Sequence, residues 1–231
     1  LGRSILGSAE LISGVNRDSM LAWRNRNYWA SRIVCVAAGN INHAEFAEAA
    51  TRLLGTIHTG QQPQREPPHF EPSEKVAQKT LDQTHVVLSF AAPGYRDPEI
   101  YQLQVLSSIL GGGMSSRLFQ EVREKRGLCY NVFSFGSAYE DAGQLGVYAA
   151  STPEHADELL DVASHVIMSV TATVTDEEVK RAKAQLKSSL VMNLESASAR
   201  ADQIARQFLA FGKVPEIAEL MAKIDAVTGE Q

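Results

Sequence analysis

At 231 residues, 44% of them apolar and 21% charged, the chain has the composition of an ordinary globular protein, long enough for one large domain or two. Its 22 basic and 27 acidic residues leave a formal charge of −5, which argues against a general nucleic-acid footprint, and no apolar run approaches the roughly 18–20 residues of a membrane span. Cys35 and Cys129 each lie in or beside an apolar β-like run and are too few for a disulfide framework or a Cys-based zinc site, so buried free thiols in a reducing compartment are expected.

Asn16-Arg17-Asp18 reads as a cap before a helix carrying Met20, Leu21 and Trp23 and ending near Asn27. An Ile/Val-rich strand is expected at about 32–38, closed by Gly39-Asn40, then a helix at about 42–54. A helix, a lone strand and a helix make a plausible end of an α/β domain and a poor beginning, because a single strand has no sheet partner. Residues 60–73, with four prolines and almost no apolar content, read as a stiff linker. Strands follow at about 75–80 and 85–91, with a helix at about 98–110. A glycine-rich break and a short charged helix lead to strands at about 129–137 and 143–151, joined by a turn at Glu140-Asp141. Helices at about 153–171, 176–195, 197–211 and 214–224 complete the chain. Two strand pairs with packed helices predict an α+β fold, an antiparallel sheet with helices on one face. Trp23 and Trp29 are expected to pack or to lie at a domain interface.

The stretch from Leu110 through Gly111-Gly112-Gly113-Met114-Ser115-Ser116-Arg117-Leu118-Phe119, and on past Glu121, Arg123, Gly127, Leu128 and Cys129 to Tyr130, is the most informative. Packing alone does not ask for three glycines, a Ser-Ser-Arg step, a charged amphipathic segment and an abrupt glycine into an aromatic strand. The glycines read as a helix stop and a mobile connection, and Ser115 and Ser116 as caps of a helix reaching about Lys125. A phosphate cradle is disfavoured, since neither Gly-Lys-Ser/Thr nor G-x-G-x-x-G occurs, and neither serine has a base and orienting acid to make it a nucleophile.

These residues resemble the pitrilysin/insulinase superfamily of inverted-motif zinc peptidases, especially the mitochondrial processing peptidase branch and its bacterial relatives. There a similar segment leads into a helix, and an Arg and a Tyr seven residues apart follow in the second domain. Arg123 and Tyr130 have that spacing. The resemblance implies that this pair holds the substrate backbone and stabilises charge on the scissile carbonyl, and that Gly111, Gly112, Gly113, Ser115 and Ser116 belong to the substrate-handling segment. Guanidinium supplies fixed charged donors and a phenol a neutral donor, which suits those roles.

The superfamily binds zinc through H-x-x-E-H on a helix of its first domain. None of His43, His58, His69, His85, His155 and His165 forms that motif; in the nearest decoy, starting at His155, Leu159 stands where the second His belongs. Zinc is therefore expected in the full-length protein, with no ligands in this segment. The resemblance implies residues 1–59 as the end of a metal-bearing domain, 60–73 as linker and 74–231 as most of a duplicated second, substrate-clamping domain. An internal match supports duplication: Ile12, Val15, Asn16 and Asp18 align with Ile224, Val227, Thr228 and Glu230 at a constant offset of 212. On this reading the chain is an excised segment of a longer processing endopeptidase. A peptide is the substrate, and the zinc-bearing domain lies in the same chain or in a partner subunit. The compartment is the bacterial cytoplasm or the mitochondrial matrix. The alternative is a non-catalytic partner or structural core subunit of the same family, and a generic α+β interaction domain is the third reading.

Overall fold

Two units divide the chain, Leu1–Arg65 and Glu66–Gln231, and the computed structural model describes residues 4–60, 66 and 68–230 of it. Of the expected linker, residues 61–65 and 67 lie outside the described residues.

In the first unit, helices α1 (Ala9–Ser13), α2 (Arg17–Asn27) and α3 (His43–Leu54) are set by their caps. Asn16 accepts from Ser19 N at 2.9 Å while Ser19 Oγ accepts from Asn16 N at 3.1 Å, a reciprocal box that satisfies otherwise orphaned donors. Asn42 caps α3 without a reciprocal bond, accepting from Ala44 N at 2.9 Å and Glu45 N at 3.3 Å. Trp29 is buried, whereas Trp23 is exposed beside Tyr28, edge to face at 5.7 Å. The strand expected at 32–38 does not form. Residues 30–32 make a 3₁₀ turn and the following stretch runs on without a partner. A strand owes its stability to its ladder, and no second strand occurs among the described residues of this unit. Cys35 is consequently exposed rather than buried, while Cys129 is buried as expected.

The second unit is built on an antiparallel sheet of β1 (Thr84–Ala92), β2 (Cys129–Ala138) and β3 (Gly143–Ser151) in the order β1-β3-β2. β2 and β3 form a hairpin whose turn falls at Glu140-Asp141, where Tyr139 N donates to Ala142 O at 2.8 Å. The expected strand at 75–80 is absent. Its Lys75, Gln78 and Lys79 leave no apolar face, Val76 is exposed, and β1 pairs instead with the apolar β3, Leu88 opposite Val147. Val132, Leu145, Val147 and Ala149 point inward with Val86 and Leu88, each large aliphatic side chain contributing about 1.5–3 kcal/mol on burial.

Helix α4 (Ile100–Gly111) packs on β2, and α5 (Ala156–Thr173) reaches β1. Next, α6 (Asp176–Asn193) lies against α4, α7 (Ala197–Phe211) is capped by Ser196, and α8 (Ile217–Asp225) packs on α4 and α6. Thr228 and Glu230, in the second half of the offset match, follow α8 outside any helix, whereas Asn16 opens one. The core is one cluster between sheet and helices, with Leu110, Leu118, Val122 and Leu159 fully enclosed. The second unit is thus α+β, its helices gathered on one sheet face.

Candidate functional site

The end of α4 is locked to the sheet at Gly111. A Cβ there would stand 2.2 Å from Ser134 N and 2.8 Å from the Phe133 carbonyl carbon, so only glycine permits this approach of helix to strand. Ser134 closes the same contact, its Oγ donating to Ser107 O at 2.5 Å. The following loop is pinned rather than loose. Gln185 Nε2 donates to Gly112 O at 2.5 Å, Gln120 Nε2 to Met114 O at 2.7 Å and Arg181 to Ser115 O at 3.2 Å. The connection expected from three glycines thus has three of its carbonyls, those of Gly112, Met114 and Ser115, held by side chains of helical segments, while Gly113 O accepts from Ser116 N within the loop.

The two serines part company. Ser115 is exposed, whereas Ser116 is 3% exposed with its Oγ lacking any hydrogen-bond partner among the described residues. The Ser116 carbonyl accepts from Gln120 N at 3.0 Å, so its backbone starts the helix and its hydroxyl does not cap it. Gly111 is buried, Gly112 half-buried and Gly113 exposed.

Arg117 then makes the strongest polar contact in the region. Its Nε and one terminal nitrogen donate to the two carboxylate oxygens of Glu178, both at 2.7 Å. The remaining donors meet Thr173 Oγ1 at 2.6 Å and Thr173 O at 2.7 Å. Glu178 also accepts from Thr175 N at 2.9 Å in the capping box of α6. The bidentate Arg117 guanidinium is the largest cause that brings the Glu178 carboxyl down to about 2, helped by the Thr175 bonds and opposed by partial burial.

From Phe119 to Glu124 the helix widens to π geometry, marked by Lys125 N donating to Gln120 O at 3.0 Å. Val122 stays fully buried, anchoring this turn, while Arg123 faces outward. The Arg123 guanidinium carbon lies 4.6 Å from the Phe119 ring centroid and 4.7 Å from that of Tyr130. Its sole ion pair among the described residues is a loose one, 3.9 Å to Glu124, and its guanidinium donates no hydrogen bond there. Neighbouring cations are compensated: Lys125 and Arg126 both reach the Glu121 carboxylate, at 2.5 and 2.7 Å, and hold it below the usual carboxylate range.

The helix closes at Gly127, φ +64°, where Gly127 N meets Arg123 O and Leu128 N meets Val122 O, each at 3.0 Å. Ser151 Oγ donates to the buried Leu128 O at 2.6 Å and fixes the start of β2. A bulge follows: Cys129 pairs with Ser151 and Asn131 with Ala150, so Tyr130 has no opposite number on β3. The bulge turns Tyr130 outward, 80% exposed, and returns Val132 to the core. Burial pushes the Cys129 thiol up, an effect opposed by the charge of Arg123.

The structure therefore brings Arg123 and Tyr130 together at the surface and adds Phe119, which the sequence did not single out. Arg117 and Glu178 were likewise missed, although the Thr175-x-x-Glu178 capping box is written in the sequence. Among the described residues no group of three or more His, Cys, Asp or Glu could hold a metal ion. No described helix is long and apolar enough to cross a membrane.

A family model described as the peptidase M16 inactive domain matches residues 14–186. An uncharacterized zinc protease of Rickettsia felis is 35% identical over 230 residues, covering 98% of this chain and 56% of the relative. One of Bacillus subtilis is 32% identical over 233 residues, covering 100% and 57%. Among solved structures, a chain of complex III2 from Candida albicans superposes with TM-score 0.86 at 24% identity, over 97% of this chain and 56% of that one. A protease from Helicobacter pylori gives 0.82 at 18% identity, over the same shares. At these identities the structural likeness shows the fold. The chain spans about half the length of the curated relatives it matches.

Proposed function

The chain belongs to the peptidase M16 family, and on that premise we propose that it is the substrate-clamping part of a zinc-dependent processing endopeptidase acting on peptides or presequences. One observation carries this reading: Arg123 and Tyr130 lie side by side, 4.7 Å from guanidinium carbon to ring centroid, with the phenol open to solvent and the cation only loosely paired. Amide hydrolysis builds negative charge on the carbonyl oxygen, and preorganised donors stabilise that charge most where they need not reorient. In this reading Arg123 holds the peptide backbone and Tyr130 donates to the developing oxyanion. Gly113 and Ser115, open to solvent, meet the peptide directly, while Gly111, Gly112 and Ser116 shape the loop from beneath.

The described residues do not fit a zinc ion. The metal of the zinc-protease relatives would be held by the remainder of a longer protein or by a partner subunit. A reducing compartment, the bacterial cytoplasm or mitochondrial matrix, suits the exposed free thiol of Cys35.

Arg123→Ala and Tyr130→Phe in the full-length protein should each lower turnover by about 100-fold or more with zinc content unchanged. Unchanged turnover would remove both residues from the mechanism. The 231 residues alone should cleave nothing; chelator-sensitive peptidase activity in them would overturn the reading.

A second reading, a non-catalytic partner or structural core subunit, is favoured by the likeness to a complex III2 chain. It requires that the full-length protein bind no zinc and cleave no peptide, which metal analysis and a peptidase assay decide.

A further inference from the structure

The cation at position 123 is held in an unusual way. A guanidinium is normally oriented by a carboxylate, as Glu178 orients Arg117, but that arrangement consumes its N–H donors and its charge. Arg123 makes no such bond, and the 3.9 Å approach to Glu124 is too long to fix its plane. A flexible stem of three methylenes, on a side chain 32% exposed, would then sample many rotamers. Two ring faces supply the missing restraint: Phe119 at 4.6 Å, one turn earlier on the π-helix, and Tyr130 at 4.7 Å, across the Gly127 turn.

Stacking differs from ion pairing in what it leaves free. Ring quadrupoles attract the face of the cation, so the planar edge that carries the donors stays available to an acceptor. The two rings are not equivalent. Tyr130 is largely exposed and on the reading above contacts substrate, whereas Phe119 is half-buried and seated on a helix anchored by the enclosed Leu118 and Val122. Phe119 is therefore the fixed wall and Tyr130 the working one.

We infer that Phe119 is the positioning residue for Arg123: its ring sets the guanidinium plane so that the donor edge, free of hydrogen bonds of its own, is presented to a carbonyl or carboxylate oxygen of a peptide. The inference rests on the proposed function for its kinetic consequence, but its structural content is separate. Phe119 itself need not touch the peptide.

The test uses two arms. In the 231-residue chain, the Arg123 Nε–Hε resonance is identified by its disappearance in Arg123→Lys. It should carry an upfield ring-current shift from both rings, the Tyr130 share being the part lost in Tyr130→Leu. Phe119→Leu should lose that share as well as its own, because the unguided guanidinium leaves the Tyr130 face, whereas Phe119→Tyr keeps the shift, with melting curves confirming that the variants fold. In the full-length protein, Phe119→Leu should lower kcat about tenfold with KM changed less than twofold, and Phe119→Tyr should restore it. A shift in Phe119→Leu that retains the full Tyr130 share overturns the positioning role whatever the kinetics. Loss of the shift with kcat unchanged overturns its functional consequence if Arg123→Ala is inactive. If Arg123→Ala is also fully active, the underlying peptidase reading has failed instead.

Discussion

Arg117 and Arg123 lie six residues apart on one short helical segment, yet they are held by opposite means. Arg117 spends its donors: both Glu178 oxygens, a threonine hydroxyl and a main-chain carbonyl surround it, and the two side chains, 17% and 16% exposed, are only partly open to solvent. Arg123 is steadied by two rings and keeps its donor edge open. The contrast teaches that residue type does not separate a structural cation from a functional one. The separating property is whether the donors are already used, and that depends on elements distant in sequence, since Glu178 lies 61 residues beyond Arg117.

The contrast can be broken most forcefully at the Arg117 end. Arg117→Ala should lose about 3 kcal/mol of stability in urea unfolding at pH 7, because it leaves the Glu178 carboxylate half-enclosed without its cation. A loss below about 1 kcal/mol would mean that the pair is no anchor. The same pair predicts a pH dependence. Glu178 titrates near 2 in the folded chain, below its ordinary value of 4.5, so its contribution is complete above about pH 4.5 and falls away as the pH drops toward 2. In Glu178→Gln this component of the acid limb should flatten; an unchanged limb would assign acid sensitivity to other carboxylates.

Gly111→Ala should come next, at about 2 kcal/mol, since the added methyl meets strand backbone rather than a movable side chain. Arg123→Ala should cost at most about 1 kcal/mol of stability while lowering turnover of the full-length protein, and this mismatch of effects sharpens the comparison most. Lys125→Ala should stay within about 0.5 kcal/mol, its partner Glu121 retaining Arg126.

Much of the fold was legible where a local rule decides it. β3 at 143–151 and α7 at 197–211 have the expected limits, one from an apolar run between turns and the other from Ser196 and a following glycine. The strands expected at 32–38 and 75–80 failed because pairing is non-local: an Ile/Val-rich segment forms no ladder without a neighbour, and a segment bearing Lys75 and Lys79 loses the competition for β1 to β3. The five-residue α1 escaped notice, being too short to show a helical period. At the site, the spacing of Arg123 and Tyr130 was readable through resemblance. The π-turn and the bulge that bring the two side chains together were not, because each is a one-residue irregularity decided by which neighbours are buried. Three glycines suggested looseness, but Gln185, Gln120 and Arg181 supply restraints that no local reading contains.

The bulge at Tyr130 has one more consequence. Side chains alternate along a strand, so in an unbulged register Tyr130 would stand opposite Ser151 and point toward the core, and the extra position is what leaves Cys129 and Val132 inward with the phenol outside. The surplus residue acts as a spacer that decouples the aim of Tyr130 from the packing of the strand beyond it.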